Sequence, residues 1–119
     1  MAATTTMSQR MRECLDECEN CARVCAETMS YCLQMGGAHA APQHIRLMLD
    51  CIDMCRTSAS FLTRASGFHA RTCAVCADVC DRCADDCAGF EDDRRMQACA
   101  DACRRCARSC REMAHAPAA

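Results

Sequence analysis

Residues 14–25 read Cys14-Leu15-Asp16-Glu17-Cys18-Glu19-Asn20-Cys21-Ala22-Arg23-Val24-Cys25, in which cysteine follows the spacing CxxxCxxCxxxC. The same spacing recurs at residues 76–87 and 99–110. Its alternating steps of four and three average about 3.5 residues, the period at which a helix in a bundle turns one side toward its neighbours. The residues between the cysteines are mostly Asp, Glu, Arg and Ala, which suit a solvated helix face. The three segments therefore predict three helices that line a shared core with cysteine.

A fourth helix is predicted from a less regular segment. Its cysteines are Cys51 and Cys55, and the same side of the helix continues backwards to Met48 and His44 and forwards to Ser58. This segment lies between the first and second of the cysteine repeats. The chain is therefore expected to contain four helices.

Glycines and a proline divide the chain at the predicted helix ends. Gly36-Gly37, Ser66-Gly67 and Gly89 mark the breaks, and Pro42 suits the start of the second helix. Thr6 with Gln9 predicts a capping box at the start of the first helix. The predicted helices cover residues 7–35, 43–64, 68–88 and 92–115. The predicted fold class is all-α, a single antiparallel up-down four-helix bundle over residues 1–119 with a Cys-lined core and disordered termini at 1–6 and 116–119.

The composition replaces the usual aromatic core with sulfur. The chain contains 16 Cys and nine Met, but only three Phe, one Tyr and no Trp. A core of this kind either packs soft side chains or binds soft metal ions. Packing alone is the weaker explanation, because so many small thiols under-fill a core that Leu would fill better.

Cysteine at this density also occurs in secreted disulfide scaffolds. Residues 1–12 contain no apolar stretch of the secretory type. Cysteines three or four residues apart on a helix have Cβ atoms about 5–6 Å apart, whereas a disulfide needs roughly 3.8 Å. We therefore expect reduced thiols and a cytoplasmic location. The net charge of −2 and the absence of a membrane-length apolar run predict neither a nucleic-acid nor a membrane partner.

Charge balance favours Cu(I) as the bound metal. Four Zn²⁺ ions in four-thiolate sites would leave a charge of about −8 in the core. Cu(I) that replaces thiol protons one for one keeps the core neutral, and soft thiolates select it. Because Cu(I) accepts low coordination numbers, two thiolates can hold one ion while each sulfur bridges to a second. The predicted thiolate ligands are Cys14, Cys18, Cys21, Cys25, Cys32, Cys51, Cys55, Cys73, Cys76, Cys80, Cys83, Cys87, Cys99, Cys103, Cys106 and Cys110.

No motif indicates catalysis. The sequence lacks HExxH, a glycine-rich phosphate loop and any spacing that supports a Ser/His/Asp arrangement. A CxxC step could serve a thiol redox protein, but the βαβ pattern that accompanies thioredoxin-like motifs is missing. We predict a binding protein for multiple Cu(I) ions per chain that is not an enzyme. A thiol redox protein, a zinc or iron–sulfur protein and a purely structural helical module stay as alternatives.

Several motifs resemble those of the bacterial copper-storage proteins, in their cytosolic branch. They are residues 14–25, Ile45-Arg46-Leu47, Cys51-Ile52-Asp53-Met54-Cys55, Ser66-Gly67-Phe68, residues 73–80 and residues 106–113. The resemblance implies a four-helix bundle that forms a homotetramer and stores Cu(I), mostly between pairs of thiolates, which protects against copper toxicity. A copper chaperone is an expected donor. Two features differ: His44 stands where a relative carries Cys, and connection 89–95 lacks a His cluster found in some relatives.

The two ends of the predicted bundle differ in chemistry. One end gathers the further predicted metal ligands Met35, His44, Met48 and Met96, together with Phe90. Thioether and imidazole groups bind Cu(I) without a thiol proton to displace, so they can pass it inward. At the other end, Phe61, Leu62 and Phe68 are expected to plug the bundle. Copper is therefore predicted to enter at the His44 end and then to reach Cys32, Cys51, Cys87 and Cys99.

Overall fold

A computed structural model describes residues 7–115, which form four α-helices joined by short connections. The helices are α1 (Gln9–Met35), α2 (Pro42–Thr63), α3 (His69–Ala88) and α4 (Arg94–His115). Each end lies within two residues of its predicted position. A short 3-10 helix, Gly37–Ala40, separates α1 from α2 and is not predicted by the sequence. The predicted disordered termini, 1–6 and 116–119, lie outside the described residues.

The helices form an antiparallel bundle in which each one packs against two neighbours. The packed pairs are α1 with α2, α2 with α3, α3 with α4, and α4 with α1. Cys14, near the start of α1, lies 3.7 Å from Cys110, near the end of α4. Ser58, near the end of α2, donates a hydrogen bond to the carbonyl of Thr72, near the start of α3, at 3.3 Å. The predicted up-down topology is confirmed, and the bundle measures 55 × 19 × 18 Å.

Local chemistry explains where the first helix begins and ends. The side chain of Ser8 accepts a hydrogen bond from the Met11 amide at 3.2 Å, so Ser8 caps α1. Thr6, which the sequence suggested as part of a capping box, lies outside the described residues. After Met35, Gly36 and Gly37 adopt φ angles of 71° and 57°, which residues with a Cβ rarely adopt. The chain therefore leaves α1 abruptly at the two glycines.

The core is built from sulfur, as predicted. All 16 cysteines have 0% of their surface exposed, and so do Met48 and Met96. Alanines such as Ala84 and Ala100 are also fully buried between the helices, which lets the backbones approach closely. The helices thus pack around a column of thiols.

At the end of the bundle opposite His44, the sequence predicted a plug of Phe61, Leu62 and Phe68, and the prediction is wrong for Phe68. Leu62 is fully buried, but Phe68 is 61% exposed. Phe61 is half-buried and lies under the Arg64 guanidinium, whose carbon is 4.7 Å from the ring centroid. Phe68 precedes the first residue of α3, so the helical period that buries its neighbours does not apply to it. Leu62 is thus the one fully buried member of the predicted plug.

The substitution Leu62→Ala should lower the free energy of unfolding of the metal-free protein by about 2–5 kcal/mol, because it leaves a cavity in the core. Phe68→Ala, the matched control, should change it by less than about 0.5 kcal/mol, because the ring is largely exposed. Urea unfolding followed by circular dichroism measures both. Equal losses in the two variants would restore Phe68 to the plug.

Candidate metal-binding core

The buried cysteines form a continuous column of sulfur atoms along the bundle axis. The Sγ atoms of Cys25 and Cys103 are 3.5 Å apart, as are those of Cys55 and Cys80. Cys51 contacts both parts of the column, with its Sγ at 3.9 Å from Cys21 and 3.7 Å from Cys80. These separations exceed the roughly 2.05 Å of a disulfide, and all 16 cysteines are free thiols. The column offers a metal ion several sulfur donors at every level.

Four groups of thiols have geometry suited to metal binding. In each, all Sγ atoms lie within 4.8 Å of one another. In order along the axis, the groups are Cys14, Cys73 and Cys110; Cys18, Cys76, Cys106 and Cys110; Cys21, Cys55, Cys80 and Cys106; and Cys21, Cys25, Cys51 and Cys103. Neighbouring groups share Cys110, Cys106 or Cys21. A sulfur that belongs to two groups can bridge two ions, so the groups suit a chain of linked monovalent ions.

The column continues toward the end of the bundle that holds the connection between α1 and α2. Cys99 lies 3.7 Å from Cys25, and Cys83 and Cys87 are fully buried on α3. Cys32 is the last thiol of α1 in this direction, and its sulfur contacts are with His44 and Met96 rather than with another described thiol. The donor chemistry therefore changes at Cys32.

Three different donors converge at this end. The Cys32 Sγ is 3.3 Å from His44 Nε2 and 3.5 Å from Met96 Sδ. Burial raises the pKa of Cys32 to about 11, so the thiol holds its proton until a cation replaces it. Met48 is fully buried, whereas Met35 is 54% exposed at the end of α1. We refer to Cys32, His44 and Met96 as the mixed-donor site.

A layer of side chains from the end of α1 and from two connections covers the mixed-donor site. The Phe90 ring lies between the rings of His39 and His44, at centroid distances of 4.3 and 5.1 Å. Asp93 accepts hydrogen bonds from the Tyr31 hydroxyl at 2.6 Å and from His39 Nε2 at 2.9 Å. The bond from Tyr31 is the main reason that the pKa of Asp93 falls to about 2 and that the pKa of Tyr31 rises. Of this layer, only Phe90 was predicted from the sequence to lie at this end.

Contacts between thiols separate the pKa values of neighbouring cysteines. The hydrogen bond with Cys110 lowers the pKa of Cys14, whereas the contact with Cys106 raises the pKa of Cys55. A sulfur that accepts a hydrogen bond is easier to deprotonate than one that donates it. Neighbouring sulfurs in the column therefore differ in how readily they lose a proton to an entering cation.

A helical bundle with linked groups of buried free thiols defines a container for soft metal ions. The profile of the family described as copper storage protein matches residues 7–115. No helix among the described residues has the length and apolar character needed to cross a bilayer. The chain belongs to the copper storage protein family.

Several solved structures are similar to the chain over most of its length. The Nmul_A1745 protein of Nitrosospira multiformis is 40% identical, with a TM-score of 0.83 over 89% of this chain and 95% of that one. The Cu(I)-bound copper storage protein BsCsp3 is 36% identical, with a TM-score of 0.82 over 89% and 99%. A cytosolic copper storage protein from Streptomyces lividans, loaded with five coppers, is 30% identical, with a TM-score of 0.85 over 92% and 96%.

Proposed function

We propose that this protein stores Cu(I) in the cytoplasm by binding many ions to its core thiolates, and so limits copper toxicity. The observation that carries the proposal is the set of thiol groups that share members along one axis. Copper storage proteins have been solved with copper bound, BsCsp3 with Cu(I) and the cytosolic protein from Streptomyces lividans with five coppers. An anaerobic Cu(I) titration that counts the ions bound per chain tests the proposal.

Charge again favours Cu(I) over zinc within this geometry. Tetrahedral Zn²⁺ needs four thiolates for each ion and leaves each site at about −2. In a core whose cysteines are fully buried, several such sites would carry a large uncompensated charge. One Cu(I) for each displaced thiol proton leaves no net charge, and shared sulfurs allow adjacent ions.

The main rival is a thiol redox protein, and burial opposes it. A redox cysteine needs access to its partner, but every cysteine here is fully buried. The described residues also contain no strand on which a thioredoxin-like motif could be built. We therefore infer that the protein is not an enzyme. A redox protein would use one reactive pair, whereas a store binds many equivalents of copper.

We also infer that the chain is a single domain that assembles as a homotetramer and receives copper from a chaperone. Leu33, Leu49 and Val75 are 54%, 41% and 51% exposed, and an assembly would cover such side chains. This inference extends the resemblance to the family. Sedimentation of the purified protein measures the assembly directly.

We propose that copper enters through the mixed-donor site. Met35 is exposed beside this end, while His44, Met48 and Met96 are buried on the path from the surface to the thiol column. Imidazole and thioether donors can take up Cu(I) before a thiol proton is displaced. Because Phe90 and His39 cover the site, uptake requires this layer to move.

Replacing His44, Met48 and Met96 together with Leu should slow Cu(I) uptake by the folded protein about tenfold, while leaving the capacity nearly unchanged. The variant keeps apolar volume but removes the donors that first receive copper. Stopped-flow transfer of Cu(I) from a chromophoric chelator measures the rate.

A matched control replaces Met11 and Met113 with Leu, because both are buried near the opposite end. This variant should take up copper at the rate of the unaltered protein. Slow uptake only in the control would move the entrance to the opposite end of the bundle, where α3 begins at His69. Normal uptake in both variants would point to passage between the helices.

A further inference from the structure

His44 has a partner on each of its ring nitrogens. Nε2 faces the Cys32 sulfur at 3.3 Å, and Nδ1 makes a short hydrogen bond with the Asp86 carboxylate. The imidazole is 4% exposed, and the Asp86 side chain is 39% exposed at the edge of the bundle. His44 therefore connects the buried mixed-donor site with a carboxylate at the surface.

The two contacts determine which nitrogen of a neutral imidazole is free to bind metal. A neutral imidazole carries one N–H group, and a carboxylate can only accept a hydrogen bond. The N–H therefore lies on Nδ1, and the lone pair of Nε2 faces the Cys32 sulfur, which in turn contacts Met96. In metal sites, a carboxylate behind the ligating histidine fixes the tautomer and the ring orientation in this way.

A negative charge at the position of Asp86 is unfavourable for α3, apart from the contact with His44. It lies close to Ala88, the last residue of α3, where the helix dipole disfavours a negative charge. The neighbouring Asp85 pairs with Arg104 at 3.8 Å, but the ion-pair partner of Asp86 is His44. Helix stability therefore does not account for the carboxylate at this position, whereas orientation of His44 does.

We propose that Asp86 is a positioning residue that holds His44 in the Nδ1–H tautomer, so that Nε2 is ready to ligate Cu(I) beside Cys32 and Met96. This inference rests on the proposed storage function and adds a residue to it. Asp86 does not touch the metal. Its effect passes entirely through the imidazole.

Asp86→Ala tests the proposal, with Asp85→Ala as the matched control of equal charge. Long-range ¹H–¹⁵N correlation spectra of the metal-free protein report the tautomer of His44. We expect Nδ1–H in the unaltered protein and in Asp85→Ala, and a shift toward Nε2–H in Asp86→Ala. Cu(I) uptake should slow about tenfold in Asp86→Ala alone, with capacity unchanged. Asp86→Asn, whose amide oxygen can accept the same bond, should recover part of the rate.

A second comparison separates positioning from a general structural effect. In a His44→Ala background, Asp86→Ala should not slow uptake further, because its only route of action is gone. Equal uptake in Asp86→Ala and Asp85→Ala, an unchanged tautomer, or additive effects with His44→Ala would each overturn the proposal. The same titrations give the copper count of the unaltered protein. A low count there would remove the storage function itself, whereas a full count with no effect of Asp86 removes only the positioning role.

Discussion

Cu(I) loading should raise the melting temperature of the protein by tens of degrees. A ligand at 100 times its dissociation constant stabilises the folded state by about 2.7 kcal/mol for each site, and this core offers four groups of thiols that share members. Thiols of the unfolded chain also bind copper, which reduces the gain. A net gain of about 10 kcal/mol still corresponds to tens of degrees for a chain of this size. Thermal melts followed by circular dichroism compare the loaded and metal-free forms.

The metal-free protein should already be folded and helical, unlike a zinc finger. Its four helices bury apolar side chains such as Leu62, Met48 and Ile52 in addition to the thiols. Removal of copper with a strong chelator should therefore return the lower melting temperature without loss of the helical spectrum. A coil spectrum in the chelator-treated protein would show instead that metal drives folding, and equal melting temperatures would contradict the stabilisation.

A variant with four cysteines replaced by serine should bind about four fewer copper ions. The replaced residues are Cys21, Cys25, Cys51 and Cys103. These residues form one of the groups whose sulfurs lie within 4.8 Å of one another. Serine nearly preserves the volume of cysteine but offers a hard oxygen in place of a soft thiolate. Anaerobic titration of the variant measures the loss.

Buried hydroxyl groups could also disturb the core, and a control separates that effect from the loss of ligands. Ala84→Ser with Ala100→Ser adds hydroxyl groups at two fully buried positions and removes no thiol. Its capacity should equal that of the unaltered protein. An equal loss in both variants, or no loss in the cysteine variant, would contradict one-for-one binding at the thiols.

The period of the cysteines was sufficient to predict the helices and the residues of the core. Steps of three and four place Cys14, Cys18, Cys21 and Cys25 on one side of α1, and each is fully buried. Glycines and a proline located the breaks for the same physical reason, since they tolerate or require backbone angles that end a helix. Helical geometry was thus enough to predict most of the fold and to propose most of the ligands.

Features that depend on contacts between different helices and connections could not be predicted from the spacing of the cysteines. Asp86 lies one residue before Cys87, off the buried side of α3, and only the packing of α2 against α3 brings it to His44. Tyr31, His39 and Asp93 come from three separate segments, so no spacing relates them. Phe68 and Met35 were assigned to the two bundle ends because they lie at the ends of predicted helices. Their side-chain orientation there follows the turn and not the helical period.

The most direct test of copper storage is an anaerobic Cu(I) titration of the reduced protein against a chromophoric chelator, with the mass of the loaded protein determined in parallel. Because the core contains 16 thiols that can each bridge two ions, saturation is expected at about 16 Cu(I) per chain, with a few more at His and Met donors. Saturation at roughly four ions or fewer, as isolated four-thiolate sites or a single redox pair would give, would contradict the account.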